Sequence, residues 1–218
     1  MIPLINLRPA IEATSADWRA RLEHMYERMH FILGQQVAEF EHDFAVSTGA
    51  AHAIGVGTGT DALELCLRAA DVTDRRREVI TSPLTAPFTA LAILAAGATP
   101  RFADIDPDTL LLDVGAAADR IGKRTAALLP VHLYGQPCNL PHFAALAREA
   151  RAVLVQDACQ AHGARFGGRP LTRYSPYVAY SFYPTKNLGC LGDGGAVATS
   201  SPAVARRIRQ LRNGPPTM

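Results

Sequence analysis

Apolar residues recur three and four positions apart through 15–30 and again through 36–48, with Gly34 between the two stretches and Gly49 as a stop after the second. This spacing predicts two amphipathic helices, each packed on something larger. From Ala51 the texture changes. Short apolar runs at 53–56, 78–82, 99–103, 126–131 and 152–156 read as strands, and the stretches at 60–70, 86–96, 115–121 and 140–151 read as helices between them. After Gly163 the helices drop out. A turn-rich stretch passes through Gly167 and Gly168, strands follow at 178–182 and 196–199, and a last helix runs over 202–211.

Strand and helix in alternation predict an α/β fold with a mainly parallel sheet and helices on both faces. A chain of 218 residues, 48% hydrophobic and 19% charged, is long and apolar enough for one sizeable core. The expected organisation is a helical segment over 1–50 packing on an α/β domain over 51–213. The chain has neither an internal repeat nor a low-complexity linker, and it stops with residues 214–218 directly after its last helix.

Charge and cysteine content remove several classes of function. The formal net charge is +2, from 22 basic and 20 acidic residues, and Arg75-Arg76-Arg77 is too narrow a cluster for a nucleic-acid footprint. The apolar windows 91–98 and 126–131 fall short of the roughly 20 residues that a membrane span requires. Cys66, Cys138, Cys159 and Cys190 form no C-x-x-C pair and follow no secretory signal, so reduced thiols in the cytoplasm are expected.

In an open α/β sheet, ligands bind beyond the carboxyl ends of the strands, so the residues just after each strand are the candidates for chemistry. Gly55-Val56-Gly57-Thr58-Gly59-Thr60-Asp61 joins a strand to a helix and leaves backbone N–H groups free at the positive helix end, which is a cradle for phosphate. The same glycines begin a dinucleotide-type G-x-G, with Ala62 in the third place. Asp157 ends the strand 152–156, where a carboxylate could keep a pyridine nitrogen protonated or simply cap the next segment. Ser181 and Lys186 flank a Pro-containing turn after the strand 178–182, the first suited to phosphate and the second to a Schiff base if its amine is partly neutral. His132 and Tyr134 follow the strand 126–131, and a histidine there is more often structural. Each position has an ordinary reading alone; cradle, strand-end Asp, Ser and Lys in that order on one sheet make a more specific set.

Those residues lie in stretches that resemble the DegT/DnrJ/EryC1/StrS family of sugar aminotransferases, which are fold-type I pyridoxal-phosphate enzymes. The resemblance rests on residues 179–189 (AYSFYPTKNLG), 192–195 (GDGG) and 156–163 (QDACQAHG), supported by 96–100, 104–107, 130–137 and 209–213. It implies the large, cofactor-binding domain of that fold, with Lys186 holding pyridoxal 5'-phosphate as a Schiff base and Asp157 paired with the pyridine nitrogen, these two being the catalytic residues. Gln160 is then expected near the phenolic oxygen, and Gly59, Thr60 and Ser181 on the phosphate, with no metal. Lys186 sets the chain apart from the dehydratase branch, which has histidine there.

By the same resemblance, the reaction moves an amino group from glutamate to a keto-sugar attached to a nucleotide, in a homodimer whose partner helps bind the cofactor phosphate. Two departures stand out. Ala86 occupies a position where the family usually stacks an aromatic ring on the cofactor, and Phe88, two residues along a helix start, points in a different direction. The small C-terminal domain is expected to be absent beyond the tail 214–218. The alternatives are therefore a truncated relative that binds the cofactor without turnover and, from the G-x-G, a nucleotide-binding oxidoreductase.

Overall fold

The computed structural model describes residues 3, 5–72 and 77–214. Arg75, Arg76 and the tail 215–218 lie outside the described residues.

Three helices lead the chain: α1 (Arg8–Ala13), α2 (Ser15–Arg28) and α3 (Gln35–Thr48). Of the two helices expected to pack, only α3 buries a face, through Phe44, Ala45 and Thr48. No residue of α2 is buried; Leu22 and Tyr26 face outward, and an exposed Arg21–Glu39 ion pair links α2 to α3. The helical period is present in both, but only α3 has the sheet beneath it.

The remaining elements are β1 (His52–Val56), α4 (Gly59–Ala69), β2 (Glu78–Thr81), α5 (Pro87–Ala95), β3 (Thr99–Phe102), α6 (Val114–Asp119), β4 (Thr125–Leu129), α7 (Leu140–Glu149), β5 (Val153–Leu154), β6 (Gln156–Asp157), the small antiparallel pair β7 (Arg165–Phe166) and β8 (Arg169–Pro170), then β9 (Val178–Ser181), β10 (Gly195–Thr199) and α8 (Pro202–Asn213). Helix starts follow their caps. The Thr58 hydroxyl accepts the Asp61 N–H at the start of α4, and the Asp113 carboxylate accepts the Ala116 N–H at the start of α6.

The strand expected over 152–156 is split into β5 and β6 because it changes partners midway. β5 pairs with β4, and β6 pairs with β9. Val155 and Asp157 still donate N–H bonds to Leu128 and Pro130, so this stretch welds two sheets into one surface ordered β3-β2-β4-β5/β6-β9-β10-β1. Within this surface β10 alone runs against the rest, antiparallel to both β9 and β1. The carboxyl ends of β1, β9, β6, β4 and β2 therefore gather at one edge, and β10 begins there.

Successive strand residues alternate between two apolar cores. Ala53, Ile80, Leu128, Val178, Tyr180 and Ala196 face α3, α6 and α7. Ile54, Val79, Ala127, Leu129, Ala179 and Val197 face α4, α5 and α8. The architecture is thus α/β, a mainly parallel sheet with helices on both faces. No described helix is long and apolar enough to cross a membrane.

Candidate active site

A cleft of about 390 Å³ opens at the edge where the strand ends collect, lined by the turn into α4, the start of α5, the end of β6 and the loop after β9. All six residues singled out in the sequence, Gly59, Thr60, Asp157, Gln160, Ser181 and Lys186, lie on its wall. They stand at or just past the ends of β1, β6 and β9, far apart in sequence, and the common edge brings them together.

The α4 end of the cleft has the features that suit an anion. Gly59 and Thr60 occupy the first turn, where backbone N–H groups have no partner within the helix and the dipole is positive. A Cβ at Gly59 would lie 2.6 Å from the Ser181 Cβ and 3.0 Å from the Cys159 sulfur, so glycine is what lets this turn reach the end of β9. Gly195 is held as tightly, since a Cβ there would fall on the Thr58 carbonyl.

Asp157 sits at the cleft floor, 4% exposed. Its Oδ1 accepts the Cys159 N–H at 3.1 Å and its Oδ2 accepts the Thr89 hydroxyl at 2.8 Å. Because Thr89 gives its only proton to Asp157, the Thr85 hydroxyl 2.8 Å away must donate to Thr89. No ion pair reaches Asp157 among the described residues. Burial, and then the Asp157 carboxylate, push the Cys159 thiol well above its ordinary range, while the Lys186 charge works in the opposite direction. Lys186 is half-buried in the turn that follows β9, its N–H bonded to the Tyr183 carbonyl, and its side chain makes no hydrogen bond or ion pair with a described residue.

His132 is structural, as its type and place suggested. It is fully buried; Nδ1 accepts the Cys138 N–H, Nε2 therefore carries the proton given to Gln156, and burial depresses its pKa. His162 lies between Tyr180 and Phe182, each 5.6 Å away, with neither ring nitrogen in hydrogen-bond geometry. Its pKa is lowered by burial first and by Lys186 as well, against the nearby Ser181 backbone.

Thr85, Thr89, Cys159 and Asp193, which were not among the candidate site residues, also line the cleft. Thr89 was findable as the third residue of a helix that follows a strand end. Both Ala86 and Phe88 line the cleft, Phe88 with 59% of its surface exposed, so the different direction expected of Phe88 does not take it off the wall. The dinucleotide reading of Gly57 and Gly59 is not supported. That fingerprint requires a strand inside a parallel βαβ unit, whereas β1 is an edge strand whose partner is the antiparallel β10.

Residues 13–215 match the DegT/DnrJ/EryC1/StrS aminotransferase family. The chain is 42% identical over 212 residues to a dTDP-3-amino-3,4,6-trideoxy-alpha-D-glucose transaminase from Streptomyces venezuelae, covering 97% of this chain and 56% of that protein. A dTDP-3-amino-3,6-dideoxy-alpha-D-galactopyranose transaminase from Aneurinibacillus thermoaerophilus is 38% identical, with 98% and 58% covered. The crystal structure of S. venezuelae DesV in complex with a ketimine intermediate superposes with a TM-score of 0.92 at 41% identity, covering 97% of this chain and 57% of that one. NtdA from Bacillus subtilis with bound cofactor PMP gives 0.89 at 28% identity, with 96% and 47% covered. The chain spans somewhat more than half the length of the curated relatives it matches. With the match running from the outer helices through every wall of the cleft, this chain belongs to the DegT/DnrJ/EryC1/StrS aminotransferase family.

Proposed function

We propose that the cleft binds pyridoxal 5'-phosphate on Lys186 and serves a sugar aminotransferase that moves an amino group, from glutamate as donor, to a keto-sugar carried on a nucleotide. The observation that carries this reading is the pairing, in one cleft, of a buried carboxylate and a lysine that have no oppositely charged partner among the described residues. A buried charge calls for a counter-charge, and a pyridinium nitrogen facing Asp157 supplies it. The chemistry also fits at the other end, where the α4 turn and Ser181 offer donors to a phosphate.

When bound, the cofactor supplies an aldehyde that condenses with amines and a cationic ring that draws electrons from the carbon bearing the nitrogen. The chain's own residues do the rest. Asp157, oriented by Thr89 and Cys159, holds the proton on the ring nitrogen. Gly59, Thr60 and Ser181 anchor the phosphate, and Gln160 faces the ring's phenolic oxygen. Lys186 holds the cofactor and, once displaced by the amino donor, moves a proton at the substrate carbon. Names of the relatives support the substrate class, since several are transaminases of dTDP- or UDP-linked sugars. A homodimer is part of the proposal, supported by Phe88, Leu91 and Leu94 exposed on α5 beside the cleft. So is a cytoplasmic location, supported by four free cysteines.

The test is to add pyridoxal phosphate to the purified chain, record its absorption, reduce with borohydride and map the labelled residue by mass. The expected outcome is a visible band, with the label on Lys186 and its loss in Lys186→Ala. Labelling on Lys123, the other lysine of the chain, or none at all, would overturn the reading. Because the chain covers only part of its relatives' length, turnover with glutamate and a nucleotide-linked keto-sugar is measured separately from binding.

A further inference from the structure

Gln160 lines the cleft, and its Oε1 accepts the backbone N–H of Tyr134 at 2.9 Å. A backbone N–H can only donate, so this bond fixes which way the amide faces. The oxygen is taken by Tyr134, and the Nε2 group with its two donors is left for the cleft.

The turn that supplies this N–H is held in an unusual conformation. Tyr134 has φ 54° and ψ 22°, in the left-handed region, and Gly135 follows with φ 86°. A side chain in that region carries a steric penalty, and the Tyr134 ring, 79% exposed, offsets little of it by burial. The turn is anchored from behind by buried His132, whose carbonyl accepts the Gly135 N–H, while Gln136 donates to the Leu133 carbonyl. A Cβ on Gly135 would stand 3.3 Å from the Gln160 carbonyl oxygen, so the turn lies close to the backbone of Gln160 as well as to its side chain.

We infer that Tyr134 and Gly135 are positioning residues, whose strained turn locks the Gln160 amide with its N–H donors toward the bound group. That group must present an acceptor oxygen at this point. The inference rests on the proposed cofactor, for which the acceptor is the phenolic oxygen. A donor there competes for the oxygen's lone pair and loosens its hold on the proton shared with the neighbouring nitrogen. Losing the donor keeps that proton bound to a higher pH.

The experiment follows the visible band of bound pyridoxal phosphate against pH in the wild type and four variants. Gln160→Glu keeps an acceptor for Tyr134 but has no donor, and should raise the pH of the spectral transition by about one unit or more, the size of one hydrogen bond to a charged group. Tyr134→Val disfavours the left-handed turn while leaving Gln160 in place, and should raise it in the same direction. Tyr134→Gly keeps both the conformation and the N–H and should restore the wild-type transition. Gly135→Ala, which strains the turn from the other residue, should act like Tyr134→Val and covers the case in which that variant fails to fold. An unchanged transition in folded Tyr134→Val or Gly135→Ala overturns the inference, as does an unchanged Gln160→Glu. A wild-type chain with no borohydride-fixed band at Lys186 overturns the cofactor reading itself, which is a distinct result.

Discussion

At the scale of single residues, the cleft depends on side chains that hold other side chains. Thr89 donates to a carboxylate that is almost fully buried, so Thr89→Val leaves Asp157 one donor short. The expected cost is about 1–3 kcal/mol in stability, read by chemical denaturation, together with weaker retention of pyridoxal phosphate, read by dialysis. Buried His132 and half-buried His162 make a different prediction. Burial lowers the pKa of His132 and of His162 below the ordinary 6.5. As pH falls below about 6.5, the unfolded chain takes up protons that the fold resists, so stability declines toward the folded-state pKa values and is complete above 6.5. Denaturation midpoints at pH 7.5 and 5.5 check this, and His162→Phe should reduce the difference. The places of Asp157, Ser181 and Lys186 on the cleft were legible in the sequence because each stands at, or in the turn just past, the end of an apolar run, where an α/β sheet puts its ligand. Thr89 and the Tyr134 N–H were not, because no local pattern tells that a hydroxyl on one crossover helix points at a carboxylate 68 positions away, or that a backbone amide meets a side chain 26 positions on.

At the scale of elements, the sequence placed almost every strand and helix of the middle of the chain, since β-branched and apolar runs between glycine and proline breaks are a local signal. It missed α1, the exposure of α2, the split of β5 from β6 and the direction of β10. All four depend on what a segment packs against. The reversed β10 matters most for the site, because its first residue crosses under the α4 turn. Gly195→Ala is expected to cost about 3 kcal/mol, the upper part of the overpacking range, since backbone rather than a movable side chain opposes the new Cβ. Gly59→Ala meets Ser181 and Cys159 side chains instead. It should leave the chain folded by circular dichroism while pushing the α4 turn away from Ser181, with loss of phosphate-dependent cofactor binding as the measured result; retention of wild-type affinity would count against the anion cradle.

At the scale of the whole molecule, two cores on opposite faces of one sheet account for most of the apolar residues, and the general α/β plan was legible from the alternation of periods. What covers the outer faces was not. Phe88, Leu91 and Leu94 lie on the solvent side of α5, and a contiguous apolar stripe of this kind fits a self-complementary contact. Sedimentation of the wild type is expected to give a dimer and of Leu91→Glu a monomer; a wild-type monomer would remove the homodimer from the proposal. Elsewhere the outer layer is tied by charge, with Glu41 of α3 accepting Arg209 and Arg212 of α8 while also accepting the Gly55 N–H of β1. β1 leads into the proposed phosphate cradle but, among the described residues, joins the sheet only through β10, some 140 residues later. During synthesis β1 is therefore left unpaired until β10 has been made, and the proposed cofactor site cannot close before then. Such distant pairing is slow to form, so the cofactor is expected to stabilise the finished fold rather than to guide it, and pyridoxal phosphate added to a refolding reaction should raise the yield without changing the rate at which the sheet closes.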